Sequence, residues 1–273
     1  MIDLHTHSRC SDGTLAPQEL VALAGEREVT LLALTDHDTL DGIGEAADAA
    51  AKAGIRFVAG VEISVSWERK TLHVVGLDVD PGNASLNAGL ARLQAVRDAR
   101  AAEIGRRLEA KGIEGAHAGA ERLAEGARLT RTHFARFLHQ TGHVKDEAQA
   151  YKKWLGRGKP AHVSAEWASL EQAIGWIHGA GGVAVLAHPF RYGLTRAWLV
   201  KAITAFKQAG GDGMEIVSGR GNPDEFHTAL HLAQRFGLAA SVGSDFHAPS
   251  PWLQPGIETA LPDNIRPVWR NFR

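Results

Sequence analysis

The stretch VTLLALTDHD, residues 29–38, carries the pattern that decides the fold. Its first six residues are almost all apolar, and Asp36, His37 and Asp38 follow almost at once. A short apolar run of this kind predicts a buried β-strand. The polar residues after it would lie at the carboxyl end of that strand. In a barrel of parallel strands, such ends converge on one face, and that face carries the chemistry.

The same arrangement recurs along the chain. Further apolar runs that predict strands lie at 55–63, 71–79, 183–187, 214–218 and 238–243, and a short strand precedes His5. Helical patterns separate many of these runs, with proline near a start and glycine at an end. Strands that alternate with helices predict an α/β fold with a mainly parallel sheet.

Residues 85–160 interrupt this alternation. Ser85 is placed to cap a long helix that runs to Lys111, three shorter helical segments follow, and no strand is predicted. From Arg92 to Pro160 there are 15 Lys and Arg against 8 Asp and Glu, although the whole chain has a net charge of −1. We predict a basic helical insertion domain at 85–160 within a domain formed by 1–84 and 161–273. The charge indicates an anionic ligand, although an arginine-rich solvated surface would look the same.

Composition limits the class of protein. The 273 residues include one cysteine, Cys10, which excludes an internal disulfide and fits a reducing compartment. The N-terminus lacks a signal-peptide pattern, and no apolar run approaches the roughly 20 residues of a membrane span. We therefore expect a cytoplasmic protein with no membrane segment and no obligate protein partner.

The 14 histidines are the most unusual feature of the composition. Alternate residues on a strand point the same way, so His5 and His7 face one side. Together with the other strand ends they give nine candidate metal ligands: His5, His7, Asp12, His37, Glu62, His73, His188, Asp245 and His247. A catalytic ion takes about three protein ligands, so this set suits two or three divalent ions. Mixed imidazole and carboxylate donors favour Mn²⁺, our first expectation, or Fe²⁺ or Zn²⁺, over Mg²⁺.

These motifs resemble those of the polymerase and histidinol phosphatase (PHP) family. They are H-T-H-S with the following Asp12, T-D-H-D at 35–38, G-V-E at 60–62, A-H-P at 187–189 and S-D-F-H at 244–247. The resemblance implies a distorted (β/α)₇ barrel that holds a trinuclear metal site and cleaves phosphoesters.

Three further segments are similar to the subgroup of 3′,5′-nucleoside bisphosphate phosphatases: R-T-H-F-A-R at 131–136, L-G-R-G-K-P-A at 155–161 and A-H-P-F-R-Y at 187–192. This resemblance implies a phosphatase that converts a nucleotide such as adenosine 3′,5′-bisphosphate to the 5′-monophosphate. Relatives of the subgroup trim 5′-phosphorylated RNA, so a 5′→3′ exoribonuclease acting on short single-stranded RNA is an alternative, although the basic block is small for tight polymer binding.

Two more distant alternatives remain. A metallo-amidohydrolase also begins with His-x-His on a barrel strand, but it needs no basic insertion. A structural or regulatory metal domain without activity would be expected to lack ligands, and none is missing here.

Candidate catalytic and substrate-binding residues follow from these positions. Asp12 and His37 would handle protons beside a water that the metal ions activate. The predicted substrate-binding residues are Arg131, His133, Arg136, Lys159, Arg191 and Asn222. Arg131 and Lys159 are favoured for a second phosphate, because a guanidinium binds phosphate in a bidentate manner and Gly158 permits close backbone approach. Each cation could instead be a solvated surface charge, and His133 could cap a helix.

Overall fold

Seven strands form one sheet in chain order. The computed structural model describes residues 1–219, 222–258 and 261–273. The strands are β1 (Ile2–Asp3), β2 (Leu31–Leu34), β3 (Arg56–Trp67), β4 (Lys70–Leu77), β5 (Val183–Leu186), β6 (Gly213–Ser218) and β7 (Ala239–Gly243). The segment after β1 meets the segment after β7, since Leu4 N donates to Val242 O at 3.0 Å and His7 N donates to Phe246 O at 2.8 Å. The sheet is therefore a nearly closed barrel, and the predicted α/β barrel is confirmed.

The sheet departs from the predicted pattern at β4. Neighbouring strands are parallel from β1 to β3 and from β5 to β7, but β4 is antiparallel to both β3 and β5. The cause is a two-residue turn in which Glu68 and Arg69 both have positive φ, 47° and 59°. Turns with φ > 0 at both central residues match the twist of paired strands and make tight hairpins. His73 thus lies in the first half of β4, beside Ser64 near the carboxyl end of β3.

Helices cover the outside of the barrel. They are α1 (Pro17–Glu26), α2 (Ile43–Ala53), α7 (Leu170–Gly179), α8 (Arg196–Gln208) and α9 (Pro223–Phe236). In α2, for example, Ile43, Ala46 and Ala50 recur at helical spacing and are buried. None of the helices in the described ranges is both long and apolar enough to cross a membrane.

The predicted insertion contains α3 (Ala84–Glu109), α4 (Ala116–Ala124), α5 (Arg131–Gln140) and α6 (Glu147–Ala150), which continues as a π-helical turn (Tyr151–Leu155). The predicted cap at Ser85 was wrong, because Asn83 accepts from Leu86 N at 3.0 Å and α3 ends at Glu109. Asn83 also satisfies the preference for a short polar acceptor at a helix start.

The long helix α3 belongs to two hydrophobic clusters. Leu86 and Leu90, in its first half, pack in the main barrel core. Ile104 and Leu108, in its second half, pack in a separate cluster with Phe134. A continuous helix therefore ties the helical segment to the barrel. The division into two domains stays a prediction.

Candidate metal centre

Glu62, at the middle of β3, is the centre of the candidate site. It is completely buried, and five imidazoles surround it: His5, His7, His37, His73 and His188. Glu62 Oε1 lies 2.8 Å from His73 Nδ1 and 2.9 Å from His188 Nε2. Glu62 Oε2 lies 2.7 Å from His37 Nδ1. One carboxylate thus offers an oxygen to each of two groups of imidazoles, which is the arrangement of a bridging ligand.

The potential ligand atoms fall into three overlapping groups, each within 4.8 Å. Among the described residues these groups are His7, Asp12, His37 and His247; His5, His7 and Asp245; and His37, Glu62 and His73. His7 and His37 each belong to two groups, so the groups form one connected cluster. His188 joins it through its contact with Glu62. The cluster supports several metal sites, and the number of ions stays a prediction.

Several buried polar atoms in this cluster have no hydrogen-bond partner. They include His5 Nε2, both ring nitrogens of His7, Asp12 Oδ1 and His188 Nδ1. Buried polar atoms without partners destabilise a fold, and proteins avoid them unless a ligand satisfies them. Imidazole and carboxylate atoms with free lone pairs are the donors that divalent metal ions require. The residues of this cluster are therefore suited to bind divalent metal ions.

Charge pairing holds the cluster together without metal. Burial lowers the pKa of His247, but the Asp12 and Asp245 carboxylates outweigh burial and raise this pKa to about 10. Burial raises the pKa of Asp12, yet His37 and His247 bring it well below its ordinary value. Burial and the neighbouring His247 lower the pKa of His7 to about 3. The carboxylates are thus ionised, and a metal ion would have to displace a proton from His247.

Glu215 on β6 contacts two of the candidate ligands, the imidazole of His5 and the backbone of His188. Its Oε1 lies 2.5 Å from His5 Nδ1, and its Oε2 accepts from the backbone N of His188 at 2.6 Å. A carboxylate on the far ring nitrogen fixes the tautomer and orientation of a ligating histidine. His5 can then present Nε2 to a metal. Sequence reasoning missed Glu215, although it lies on a predicted strand like the other acids.

Helix α5 contacts the loop that carries Asp12. Thr132 Oγ1 donates to Asp12 Oδ2 at 3.0 Å, and the Arg136 guanidinium donates to Asp12 O at 2.7 Å. His133 Nδ1 accepts from Thr130 N at 3.1 Å, which is a helix-capping contact. Arg136 and His133 thus have structural partners here, and a contact of either with substrate stays a prediction.

A cavity of about 910 Å³ opens beside the metal cluster. The predicted residues Arg131 and Arg191 line it, together with His73 and His188. It is also lined by cations that sequence reasoning missed: Arg69, Lys70, Arg100 and Arg157. Of these four residues, only Arg157 could have been identified from the sequence, since it lies in the L-G-R-G-K-P-A segment that is similar to the phosphatase subgroup.

Three arginines of the insertion lie together at this cavity. Arg100, Arg131 and Arg157 line the same cavity. Burial, with the charges of Arg131 and Arg97, lowers the pKa of Arg100 to about 9. A guanidinium that is desolvated beside like charges favours an anion, because phosphate accepts bidentate hydrogen bonds from it.

Two predicted substrate-binding residues, Lys159 and Asn222, do not line this cavity. Lys159 is exposed. Asn222 caps α9, where its side chain accepts from Glu225 N at 2.8 Å. Arg191 lines the cavity and donates to Asp245 Oδ2, so it contacts the metal cluster as well.

Fold and site together define a barrel hydrolase with several metal ions. The chain matches the PHP domain family over residues 3–159. It is 51% identical to a 3′,5′-nucleoside bisphosphate phosphatase of Chromobacterium violaceum, over 99% of this chain and 96% of that protein. It is 47% identical to a 5′-3′ exoribonuclease of Haemophilus influenzae, over 99% and 98% of the two chains.

A solved structure from Chromobacterium violaceum superposes with a TM-score of 0.94 and 50% identity, over 99% of this chain and 95% of that one. It is described as an amidohydrolase with bound sulfate and no metal, whereas the two sequence relatives are named for phosphate esters. This chain belongs to the PHP domain family. The predicted class, a metal-dependent phosphoesterase, is confirmed.

Proposed function

We propose that this protein removes the 3′-phosphate of nucleoside 3′,5′-bisphosphates and releases the 5′-monophosphate. The observation that supports this proposal is that one cavity is lined both by residues of the metal cluster and by several guanidiniums. His73 and His188 of the metal cluster line one part of it, and Arg131 lines it together with other guanidiniums. A substrate with two phosphates needs two sites for anions, whereas a simple monoester needs one.

Each group of residues has a distinct task in this proposal. When bound, divalent ions supply Lewis acidity and an activated water for attack on phosphorus. The nine predicted ligands hold them, with Glu62 shared between two groups. Arg100, Arg131 and Arg157 bind the 5′-phosphate and so place the 3′-phosphate at the cluster. Asp12 and His37, whose Oδ1 and Nε2 atoms lie 3.8 Å apart, are placed to move protons.

A second candidate function would hydrolyse the same kind of bond, the P–O3′ bond. In a 5′-phosphorylated RNA, the 3′-phosphate of the first nucleotide is a diester to the next nucleotide. Hydrolysis of its P–O3′ bond releases the first nucleotide as a 5′-monophosphate and leaves a new 5′-phosphate on the shortened strand. The cavity of about 910 Å³ lies near the upper end of the range for small-molecule sites. The likeness to a relative named a 5′-3′ exoribonuclease supports this hydrolysis as the second activity.

The donor set supports Mn²⁺ as the native ion within this proposal, because imidazole and carboxylate together suit it better than Mg²⁺. Reconstitution of metal-free protein with Mn²⁺, Fe²⁺ or Zn²⁺ tests this, and Mn²⁺ should give the highest turnover. Full activity with Mg²⁺ alone would contradict it.

A substrate panel tests the proposed function. Metal-loaded protein is offered adenosine 3′,5′-bisphosphate, adenosine 3′-monophosphate and a 5′-phosphorylated pentaribonucleotide, and phosphate and 5′-AMP are measured. We expect kcat/KM for the bisphosphate to exceed that for the 3′-monophosphate by about tenfold or more, since charged hydrogen bonds to the 5′-phosphate are absent from the latter. Equal values would contradict the second anion site. No turnover of any of the three, with metal present by elemental analysis, would contradict the proposed function.

A further inference from the structure

An exposed aromatic and basic surface continues the cavity at the tip of the β3–β4 hairpin. It consists of Trp67, Lys70, Trp198 and Lys201, here called the Trp198 platform. Trp198 lies on α8 and is 38% exposed, which is unusual for a large apolar side chain in the described part of this protein. An exposed indole beside a substrate cavity indicates a contact surface.

The four side chains form a compact group. The rings of Trp67 and Trp198 meet edge to face, with their centroids 5.8 Å apart. Lys201 Nζ lies 4.8 Å from the Trp198 ring centroid, and Lys70 Nζ lies 5.5 Å from it. An ion pair of 2.9 Å between Lys201 Nζ and Glu68 Oε1 attaches the hairpin turn to α8.

Lys70 connects this group to the reaction site. It lies over Trp198 and also lines the cavity that contains His73 and His188. A strand that leaves the metal cluster along this wall would meet Lys70 and then the exposed indole. The neighbouring Arg69 lines the same cavity and adds a further positive charge.

The chemistry of the surface matches single-stranded nucleic acid. Proteins bind such strands by pairing cations that follow the phosphates with aromatic rings on which bases stack. Lysines over an indole also place positive charge where a phosphate beside a stacked base would lie. A nucleoside bisphosphate has one base and no nucleotide beyond its 3′-phosphate, so the platform would add nothing to its binding.

We propose that the Trp198 platform binds the nucleotide downstream of the scissile phosphate in a short 5′-phosphorylated RNA, with a base stacked on Trp198. This inference rests on the proposed phosphoesterase function and assigns the residues that admit an oligoribonucleotide as well as a mononucleotide. The cut is the P–O3′ hydrolysis described above, so the platform changes which substrates bind and not the bond that breaks.

The Trp198 contacts could also serve only to hold the hairpin against α8. If the role is structural, a substitution of Trp198 would lower kcat/KM for both substrates to the same extent, because Lys70 and His73 belong to the hairpin strand β4. Substrate selectivity therefore separates the two roles.

The test compares Trp198→Leu with Trp198→Phe, which keeps an aromatic face. For each variant, kcat/KM is measured for adenosine 3′,5′-bisphosphate and for a 5′-phosphorylated pentaribonucleotide, along with Tm. We expect Trp198→Leu to lower kcat/KM for the pentaribonucleotide about tenfold, the scale of one lost base–aromatic stack, and to leave the bisphosphate unchanged. Trp198→Phe should stay within about threefold of the parent protein on both.

Three results would overturn this inference. They are an unchanged pentaribonucleotide rate in Trp198→Leu, an equal loss on both substrates, and a parent protein that hydrolyses the bisphosphate but not the pentaribonucleotide. The last result would leave the proposed phosphatase function intact. A parent protein that hydrolyses neither substrate would overturn that function and this inference together.

Discussion

Arg97 of helix α3 donates a hydrogen bond of 2.6 Å from Nε to Asp38 Oδ2. Both side chains are buried, and Asp38 directly follows the candidate ligand His37. Arg97 also donates to Ser64 Oγ at 2.9 Å, and Asp38 accepts from Ser64 N at 2.7 Å. Hydrogen bonds among Arg97, Asp38 and Ser64 therefore connect helix α3 to the loop that carries His37. Together with the Thr132 contact to Asp12, they support two loops of the metal cluster.

Replacing Arg97 with alanine should weaken both the fold and metal binding. Removal of one partner of a buried ion pair typically costs about 3–5 kcal/mol, and loss of outer support typically lowers metal affinity about 10- to 100-fold. Thermal unfolding and metal titration of the purified variant measure the two effects. Arg106→Ala is the control, since Arg106 lies on the same helix but is exposed and pairs with Glu103 at the surface. An Arg97→Ala protein with unchanged metal affinity would show that the contact is not part of the site.

Glu215→Gln should reduce metal affinity without a large loss of stability. The amide keeps the size of the side chain but removes the charge that orients His5 through Nδ1. We expect the affinity to fall about 10- to 100-fold, measured by calorimetric titration of metal-free protein. Glu171→Gln, at an exposed position on α7, is the matched control. Equal affinities for the two variants would contradict the role of Glu215.

Metal binding should release protons and strengthen as pH rises. Burial opposes the charged form of His247, but Asp12 and Asp245 raise its pKa to about 10 in the metal-free cluster. A metal ion must displace that proton, since only a neutral imidazole ligates. The apparent affinity should therefore increase with pH across the neutral range. Calorimetry in two buffers of different ionisation enthalpy gives the number of protons released, and a value of zero would contradict the charge state of His247.

Arg131→Ala should raise KM for a nucleoside 3′,5′-bisphosphate by about tenfold or more and change kcat less, because a charged hydrogen bond to the remote phosphate is lost. Lys159→Ala should leave KM within about twofold, since Lys159 is exposed outside the cavity that Arg131 lines. Steady-state kinetics on both variants compares them directly. A similar rise in KM for Lys159→Ala would restore the sequence-based expectation that Lys159 binds phosphate.

The clustering of the candidate metal ligands could be predicted from the sequence because strand geometry fixes where they point. His5 and His7 alternate in the segment directly after β1, Glu62 lies on β3, and Asp245 follows β7, so one rule about strands and the residues after them brings these side chains together. His73 lies at the site for a different reason. The turn at Glu68 and Arg69 makes β4 antiparallel to β3, so the first half of β4 lies beside the carboxyl half of β3.

The basic lining of the cavity could not be predicted as completely. Arg100 lies in the middle of a long helix, and its sequence context resembles that of any solvated helical arginine. Its position in the cavity depends on how α3 packs across two hydrophobic clusters, and no local pattern encodes that packing. Lys159 and Arg157 lie two residues apart, and only the fold of the turn shows that Arg157 lines the cavity.

Hydrolysis in H₂¹⁸O shows which bond is broken. We expect adenosine 3′,5′-bisphosphate to give ¹⁸O-labelled inorganic phosphate and unlabelled 5′-AMP. We expect the first cut of a 5′-phosphorylated pentaribonucleotide to give an unlabelled mononucleotide and a shortened strand labelled at its new 5′-phosphate, so that the nucleotides released in later cuts carry the label. Both results place the attack on the 3′-phosphorus with departure of O3′. Release of the 5′-phosphate, or label in the 3′-hydroxyl of the product nucleotide, would contradict it.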